Sequence, residues 1–235
     1  MASSIDQSVV CPILIGRASN LDAIDRLIDQ AASGAGRVAL ISGEAGLGKS
    51  RLVSEAKSIA ALHGLLTLQG GCFEIDRSLP YAPFIDLLRS FFANFSTDQI
   101  KRFVDPAALD LSRLLPEFSA THNEVSSAID PEQEKRRLFQ ALSQFLIQLA
   151  ATQPLLVVIE DLHWCDDTSL ELLAFLARRL NSQPILLLLT YRNDEIDARV
   201  NHLLAELDRE HIATELVLKR FAQAEVDAML RAIFG

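Results

Sequence analysis

The chain has 235 residues, of which 49% are hydrophobic and 23% are charged, and its formal net charge is −9. This length and apolar content are sufficient for the core of one large α/β domain and exclude disorder over most of the chain. The negative charge argues against sequence-independent binding to nucleic acid, because such binding requires a basic surface. Two short basic clusters, at 135–137 and 178–179, are interpreted as solvated helix faces.

Cysteine usage and the apolar runs bear on the compartment of the protein. Cys11, Cys72 and Cys165 lie far apart in the sequence and form no C-x-x-C pair. This spacing argues against a zinc site or a disulfide framework and is typical of a reducing compartment. The N-terminal residues contain no basic segment followed by a long apolar core, and the longest apolar runs have the length of strands. We therefore expect a cytoplasmic protein without membrane insertion.

The first strong pattern along the chain is an apolar run followed by a glycine-rich loop. Residues 38–42 predict a buried strand, and they lead into the pattern G-x-x-x-x-G-K-S, which runs from Gly43 to Ser50. A phosphate-binding loop requires this context, since a strand must deliver the chain to a loop of inward-pointing N–H groups and a helix must then begin. A glycine-rich turn without a ligand is the alternative.

This loop predicts a site for the phosphates of a nucleotide. The ammonium of Lys49 is expected to reach the β- and γ-phosphates, and the hydroxyl of Ser50 is expected to ligate Mg²⁺. Backbone N–H groups are expected to cradle the phosphates, aided by the positive end of the following helix. These N–H groups belong to Gly43, Glu44, Ala45, Gly46, Leu47, Gly48 and Lys49.

The rest of the chain alternates between predicted helices and strands. Four further apolar runs predict strands at 65–69, 155–159, 185–191 and 215–218. Runs that are apolar nearly throughout are typical of parallel strands covered on both faces. A helical pattern follows the loop, made by Leu52, Val53, Ala56, Ile59 and Ala60. This alternation indicates an α/β fold with a parallel sheet.

Two helix boundaries have sequence signals of their own. Gly64 stands where the helix after the loop is expected to end, and glycine is the usual residue at such a position. Thr168 followed by Glu171 predicts a capping box that opens a later helix.

About 85 residues separate the second and third predicted strands, which is too long for a simple crossover. This stretch predicts a helical insertion. One apolar stripe contains Phe84, Leu87, Leu88, Phe91 and Phe92, and a second helix begins after Asp130-Pro131 and carries Leu138, Leu142, Phe145, Leu146 and Leu149. Residues 121–129 are polar and are predicted to form a mobile loop.

Two carboxylates follow the third predicted strand. Residues 155–159 are apolar and lead directly into Glu160 and Asp161. Because unpaired carboxylates next to a core are costly, this pair is expected to bind a ligand. Beside a phosphate loop, one acid is expected to hold Mg²⁺ together with Ser50, while the other orients or deprotonates the attacking water. A helix cap or a salt-bridged loop is the alternative.

A cation follows the next strand. Arg192 comes directly after residues 185–191, and an arginine at the end of a strand beside the acidic strand is placed to contact a γ-phosphate. A surface arginine without this role is the alternative.

These motifs together resemble the AAA-type ATPase module of STAND signalling NTPases, as found in large LuxR-type bacterial transcriptional regulators similar to the maltose regulon activator. The resemblance spans roughly residues 12–234. In chain order, its segments are ILIGR at 13–17, SGEAGLGKSRL at 42–52, GC at 71–72, LPYAPF at 79–84, LLVVIEDLHWCDDTSLELL at 155–173 and LLLLTYRNDE at 186–195.

The resemblance implies a P-loop NTPase fold with a five-stranded parallel sheet in the order 5-1-4-3-2. It places helices on both faces of the sheet and a helical insertion, at about 82–150, between strands 2 and 3. It also implies three regions: an N-terminal tail at 1–11, an ATPase core at 12–218, and the start of a helical lid at 219–235.

The resemblance also assigns residues. Gly16 and Arg17 match a segment that lies against the adenine and ribose, and Arg51 belongs to the nucleotide-binding segment. Glu160 and Asp161 match the acidic pair of the Walker B strand, and Arg192 matches the first sensor arginine. Of the pair that follows the acids, Trp164 is expected to pack, and His163 to contact the γ-phosphate or a water. The implied cofactors are ATP or ADP with Mg²⁺.

The sequence departs from the family pattern in two ways. Glu160 stands where the family usually has aspartate, so either acid of the pair can be the one that holds the metal, and we expect slow hydrolysis. The family continues into a lid, a winged helix, repeats and an effector domain, whereas this chain stops at Gly235 after the first helix of that region.

The leading hypothesis is therefore an ATP-driven regulatory switch, with low ATPase turnover, inside a larger signalling or transcriptional regulator. Its expected partners are ATP, a second copy of the module when ATP is bound, and the C-terminal lid, repeat and effector domains. Neither membrane contact nor direct DNA binding is expected. The alternatives are a DNA-associated ATPase of the replication-initiator type, a small-molecule kinase, and a scaffold with a vestigial loop.

Overall fold

A computed structural model describes residues 13–93, 111, 114–115 and 130–234 of the chain. Its five strands are β1 (Arg37–Ser42), β2 (Leu66–Gly71), β3 (Leu155–Glu160), β4 (Ile185–Tyr191) and β5 (Ala213–Val217). Seven helices are described: α1 (Ala18–Ala32), α2 (Lys49–Leu62), α3 (Ala82–Phe92), α4 (Pro131–Thr152), α5 (Asp167–Arg179), α6 (Ala198–Arg209) and α7 (Gln223–Phe234). Short 3₁₀ turns occupy Glu74–Asp76 and Leu162–Trp164.

The five strands form one parallel sheet in the order β2-β3-β4-β1-β5. Read from the other edge, this is the predicted order 5-1-4-3-2, so the predicted fold class is confirmed. The predicted strand positions are also confirmed, with shifts of one or two residues. The largest shift is in β5, which begins at Ala213 rather than at residue 215.

Alternate residues of the central strands face two different cores. Ala39 and Ile41 of β1 pack with Leu156 and Val158 of β3 against α1 and α2. Their neighbours along the strands, such as Leu40, pack against the helices of the opposite face, α3, α4, α5 and α6. Both faces are therefore covered, which explains why these strands are apolar throughout rather than alternating.

Helix α1 is an element that the sequence analysis did not predict. Its buried side chains, Ile24, Leu27, Ile28 and Ala31, recur at spacings of three and four residues. This spacing puts them on one stripe, which faces the sheet beside α2. The helical spacing of these apolar residues is therefore visible in the sequence itself.

The two predicted helix boundaries have different outcomes. Gly64 directly follows the C-cap residue of α2 and has φ +77°. This is the left-handed conformation for which glycine is favoured after a helix. The predicted capping box of Thr168 and Glu171 is wrong, because α5 begins at Asp167 and Asp166 is its N-cap, accepting a hydrogen bond from the Ser169 N–H at 2.9 Å. Asp166, two residues before Thr168, provides a charged acceptor for the N–H groups at the start of the helix.

The insertion contributes α3 and α4 to one face of the sheet. The predicted stripe of α3 and the five predicted residues of α4 are all buried there. The predicted mobile loop at 121–129 and the predicted tail at 1–11 lie outside the described residues. Within the described ranges, no helix combines the length and the apolar character that a membrane crossing requires.

Candidate nucleotide site

The 43–50 loop joins the carboxyl end of β1 to the amino end of α2. Gly46 and Gly48 have φ values of +78° and +90°, in the left-handed region that favours glycine. A Cβ atom at either position would meet nothing within 4 Å. Glycine is therefore required here for the backbone conformation, and the space beside the loop is open for a ligand.

Lys49 lies across this loop. Its side chain is almost buried, and its Nζ donates to the carbonyl oxygens of Gly43 at 2.8 Å and Glu44 at 2.9 Å. Burial lowers the pKa of Lys49, and the charge of Asp161 partly opposes this shift. An ammonium has three donors, so two hold it in the loop while a third can meet a phosphate oxygen.

Ser50 and the acidic pair line one cavity of about 450 Å³. Ser50 near the start of α2 thus shares a cavity with the carboxyl end of β3. This is the arrangement that the sequence analysis expects for a magnesium site. Glu160 accepts a hydrogen bond from the Gln69 amide at 2.8 Å, and Gln69 in turn accepts one from Lys57 at 2.7 Å. These bonds connect the acidic pair to α2 through the end of β2.

Asp161 has a backbone conformation that side-chain-bearing residues seldom adopt. Its φ and ψ are 61° and 50°, and its N–H donates to the Thr190 hydroxyl of β4 at 2.9 Å. Aspartate is one of the few residues that tolerate this region. Glu160 ends the strand regularly, so the two carboxylates leave β3 with different backbone geometry.

The donor set of the cavity fits Mg²⁺. The Ser50 hydroxyl and the two carboxylates are hard oxygen ligands, which this cation prefers. Among the described residues, no cluster of three or more His, Cys, Asp or Glu could hold a metal alone. Mg²⁺ at nucleotide sites is usually bound by one or two protein oxygens together with phosphates and waters.

His163 lies behind the acidic pair. It is almost fully buried, and neither ring nitrogen has a hydrogen-bond partner among the described residues. Nδ1 is 4.0 Å from Asp161 and Nε2 is 3.7 Å from Glu195. Burial lowers the pKa of His163, so the ring is neutral near pH 7. Trp164 packs beside it, with ring centroids 5.1 Å apart.

Arg192 begins the segment after β4. Its Nη1 donates to Glu195 Oε1 at 2.5 Å, and this bond raises the pKa of Arg192. Arg192 follows β4, and the 43–50 loop follows β1, its parallel neighbour, so both begin at the carboxyl ends of adjacent strands. The contact of Arg192 with a γ-phosphate stays a prediction.

A small apolar pocket of about 210 Å³ is lined by Gly46, Leu47 and Gly48 of the 43–50 loop. Its walls come from residues 13–15, from Leu47 in the loop, and from Phe221 and Met229 near α7. Arg51 also lines it and forms an ion pair with Glu55 at 3.0 Å. An apolar slot next to a phosphate loop has the character that a nucleotide base requires.

Arg17 and Gly16 join this pocket to the segment after β5. Arg17 donates to the carbonyl oxygens of Leu47 at 3.1 Å and Lys219 at 2.9 Å, and its guanidinium lies 4.5 Å from the centre of the Phe221 ring. A Cβ atom at Gly16 would meet Glu225 Oε1 at 2.2 Å. Both residues thus hold α7 against the loop, a role that sequence reasoning missed.

Other polar residues of the site were also missed. Gln69 and Asp86 line the cavity of the acidic pair, and Glu195 holds Arg192. A polar residue in the strand neighbouring the acidic strand is a signal that could have indicated Gln69. No local pattern indicates Asp86, because α3 reaches the cavity only through the packing of the insertion.

Cys72 lines the cavity but is not a candidate for nucleophilic catalysis. Cys72 and Cys165 are buried free thiols. The pKa of the Cys72 thiol is raised, mainly by a hydrogen bond with Cys165 and secondly by burial. A thiol with a raised pKa is a poor nucleophile near neutral pH.

Comparison with known proteins is consistent with this geometry. The model of the "AAA ATPase domain" family matches residues 13–189. An uncharacterized protein of Rhizobium meliloti (strain 1021) is 31% identical, and the match covers 88% of this chain and 21% of that protein. The chain therefore spans about a fifth of the length of this relative.

This chain is similar to solved structures. Cdc6p from Pyrobaculum aerophilum is 12% identical, with a TM-score of 0.59, and the match covers 96% of this chain and 51% of that one. A STAND protein with a tetratricopeptide repeat sensor from Pyrococcus horikoshii is 16% identical, with a TM-score of 0.43, over 97% of this chain and 27% of that one.

Proposed function

Because this chain belongs to the family of AAA ATPase domains, we propose that it binds ATP with Mg²⁺, hydrolyses it slowly, and serves as a regulatory switch within a larger signalling or transcriptional regulator. One observation carries the proposal. Ser50, at the end of the 43–50 loop, lines a cavity together with the acidic pair, and Gly46, Leu47 and Gly48 of the same loop line the apolar pocket. A triphosphate, its metal and its base thus each have a site of suitable chemistry along one loop.

The residues divide the work as follows. The N–H groups of the 43–50 loop and the third donor of Lys49 hold the β- and γ-phosphates. Ser50 and one acid of the pair hold the cation, which when bound neutralises charge on the phosphate oxygens. The other acid orients the attacking water and accepts its proton, and Arg192 stabilises the γ-phosphate.

The base is proposed to lie in the apolar pocket. Leu47, Phe221 and Met229 would give the base apolar contacts. The guanidinium of Arg17, which also lines the pocket, already donates hydrogen bonds to two backbone carbonyl oxygens. This arrangement links nucleotide occupancy to the position of α7. Such a link between ligand and a following helix is what a switch requires.

Slow turnover is supported by two features of the site. Glu160 is longer by one methylene than the aspartate usual in the family, which shifts its carboxylate relative to Ser50. Arg192 is occupied by Glu195 rather than directed at the loop. A site in which the γ-phosphate must first displace this contact does not hold Arg192 ready for the transition state, which supports slow hydrolysis.

The wider biological role follows from the same proposal. The match to the relative covers only 21% of that protein, which supports a module joined to further sensor and effector domains. We propose self-association through the ATP-bound module and a cytoplasmic location. Direct DNA binding by this segment is not proposed, because its net charge of −9 opposes it.

Ligand-induced stabilisation tests the proposal. ATP with Mg²⁺ at about 100 times its dissociation constant should stabilise the protein by about 2.7 kcal/mol, which raises its melting temperature. Lys49→Ala should abolish this shift while leaving the fold intact, as judged by circular dichroism. If wild type and Lys49→Ala show the same response to ATP, the loop is not a nucleotide site.

Two other functions remain to be separated. A DNA-associated ATPase of the replication-initiator type has a fold of this kind, as the likeness to Cdc6p illustrates, but fold alone does not carry function. Salt-sensitive binding to duplex DNA at low ionic strength would support it. ADP release that depends on an added phosphate acceptor would instead indicate a small-molecule kinase.

A further inference from the structure

The segment after β4 carries charges beyond those that the proposed hydrolysis uses. Arg192, Asp194 and Glu195 all lie near enough to the Lys49 ammonium to affect its pKa. Because Lys49 is held in the 43–50 loop by two carbonyl oxygens, this segment stands beside the place where the terminal phosphate of a triphosphate would lie.

The carboxylate of Glu195 stands between two groups. Oε1 accepts a hydrogen bond from Arg192 Nη1 at 2.5 Å, and Oε2 lies 3.7 Å from His163 Nε2. The first distance is that of a short charge-assisted hydrogen bond, and the second is about 1 Å longer than one. Glu195 therefore holds the arginine and stands next to the histidine without bonding to it.

The His163 ring can form a new hydrogen bond with the Glu195 carboxylate. The ring is almost fully buried, and neither of its nitrogens has a partner among the described residues. A buried polar group without a partner is costly, so a new acceptor for the ring N–H is favoured. On its other side, the ring is 4.0 Å from Asp161 of the acidic pair.

We propose that Glu195 is a positioning residue that competes with the γ-phosphate of ATP for Arg192 and, once displaced, bonds to His163. A phosphate is a stronger partner for a guanidinium than one carboxylate oxygen, because it offers more charge and more acceptors in the same fork geometry. ADP has no γ-phosphate and leaves the Arg192–Glu195 contact in place. Glu195 thereby lowers the affinity for ATP but not for ADP, and it takes a different position with each nucleotide, next to the acidic pair when ATP is bound.

The inference rests on the proposed function, and a double-mutant cycle tests it. The affinities for a slowly hydrolysed ATP analogue and for ADP are measured with Mg²⁺ by calorimetry in wild type, Glu195→Ala, Arg192→Ala and the double variant. Glu195→Ala removes the competitor, so it should raise the ratio of triphosphate to diphosphate affinity by about 1.4-fold to fivefold, the range for partly exposed ion pairs. In the Arg192→Ala background, the same change should leave the ratio unaltered.

Asp194→Ala is the matched control. Asp194 has the same charge and acts on Arg192 through space, without the hydrogen bond that Glu195 makes. If the ratio changes only because a negative charge near the triphosphate is removed, Asp194→Ala and Glu195→Ala should raise it equally. That increase should also remain in the Arg192→Ala background. Glu195→Gln, which keeps the side-chain shape, should give an intermediate ratio and serves if the alanine variant does not fold.

The outcomes separate the two proposals. If wild type binds ATP but Glu195→Ala leaves the ratio unchanged, lowers it, or acts equally without Arg192, the competition is wrong and the nucleotide site stands. If wild type binds no nucleotide, the proposed function and this inference both fail.

Discussion

The backbone N–H of Asp161 donates to the hydroxyl of Thr190 at 2.9 Å, and this bond joins the ends of β3 and β4 at the site. Asp161 lies in the left-handed region, with φ 61°. Thr190 is buried, so the bond forms away from water. A residue on the neighbouring strand thus holds the second acid of the pair in a conformation that is unfavourable on its own.

Thr190→Val should therefore disturb the acidic pair. Valine has the same shape but no hydroxyl, so it leaves the Asp161 N–H unpaired and should lower the free energy of unfolding by about 1–3 kcal/mol. We also expect ATP turnover to fall more than ATP affinity, because the carboxylate loses its orientation. Urea unfolding and steady-state ATPase assays measure the two effects. Thr190→Ser keeps the hydroxyl and should resemble wild type; equal behaviour of the valine variant would contradict the role.

The two acids should differ when each is replaced by its amide. Glu160→Gln is expected to weaken Mg²⁺-dependent ATP binding, because Glu160 faces Ser50 across the cavity and is held by Gln69. Asp161→Asn is expected to impair turnover more than binding, because the Asp161 carboxylate is proposed to orient the attacking water. Calorimetric titration with and without Mg²⁺, together with ATPase assays, separates the effects. The opposite pattern would mean that the two roles are exchanged.

The start of α5 offers a test of stability that is independent of the site chemistry. Asp166 accepts hydrogen bonds from the N–H and the hydroxyl of Ser169. Asp166→Ala removes the N-cap and should lower the free energy of unfolding by about 1–2 kcal/mol. Thr168→Ala is the matched control and should change it little, since Thr168 is not the cap. A larger loss for Thr168→Ala would restore the capping box that the sequence suggested.

Asp197 should make part of the stability depend on pH. Burial raises its pKa, but the Val200 N–H and the Arg199 guanidinium together lower it below the usual value of 3.8. The folded state thus binds fewer protons than the unfolded state, so the stabilisation is present above about pH 4 and is lost as the pH falls through the folded pKa.

Asp197→Asn keeps an N-cap acceptor but cannot titrate. Its melting temperature should therefore fall less between pH 5 and pH 3 than that of wild type. Other carboxylates titrate in both proteins, so the difference between the two profiles reports Asp197 alone. Parallel profiles would show that Asp197 has the same pKa in the folded and unfolded states.

Much of the fold was predictable from local patterns. The three central strands, β1, β3 and β4, are nearly uninterrupted apolar runs because both of their faces are covered, and these runs are visible without a structure. The 43–50 loop is equally local, because its glycines, Lys49 and Ser50 belong to one continuous segment. The strand order came from the family resemblance rather than from periodicity, which contains no information about which strands are neighbours.

The contacts that give the site its detail were decided by the tertiary structure alone. Gln69 meets Glu160 across 91 residues of sequence, and Arg17 meets Lys219 across 202. Glu195 follows Arg192 by only three residues, yet its second oxygen faces His163 from another loop. Local sequence patterns report backbone conformation and burial. Which polar groups meet depends on how the parallel strands and their crossovers bring distant segments to one edge of the sheet.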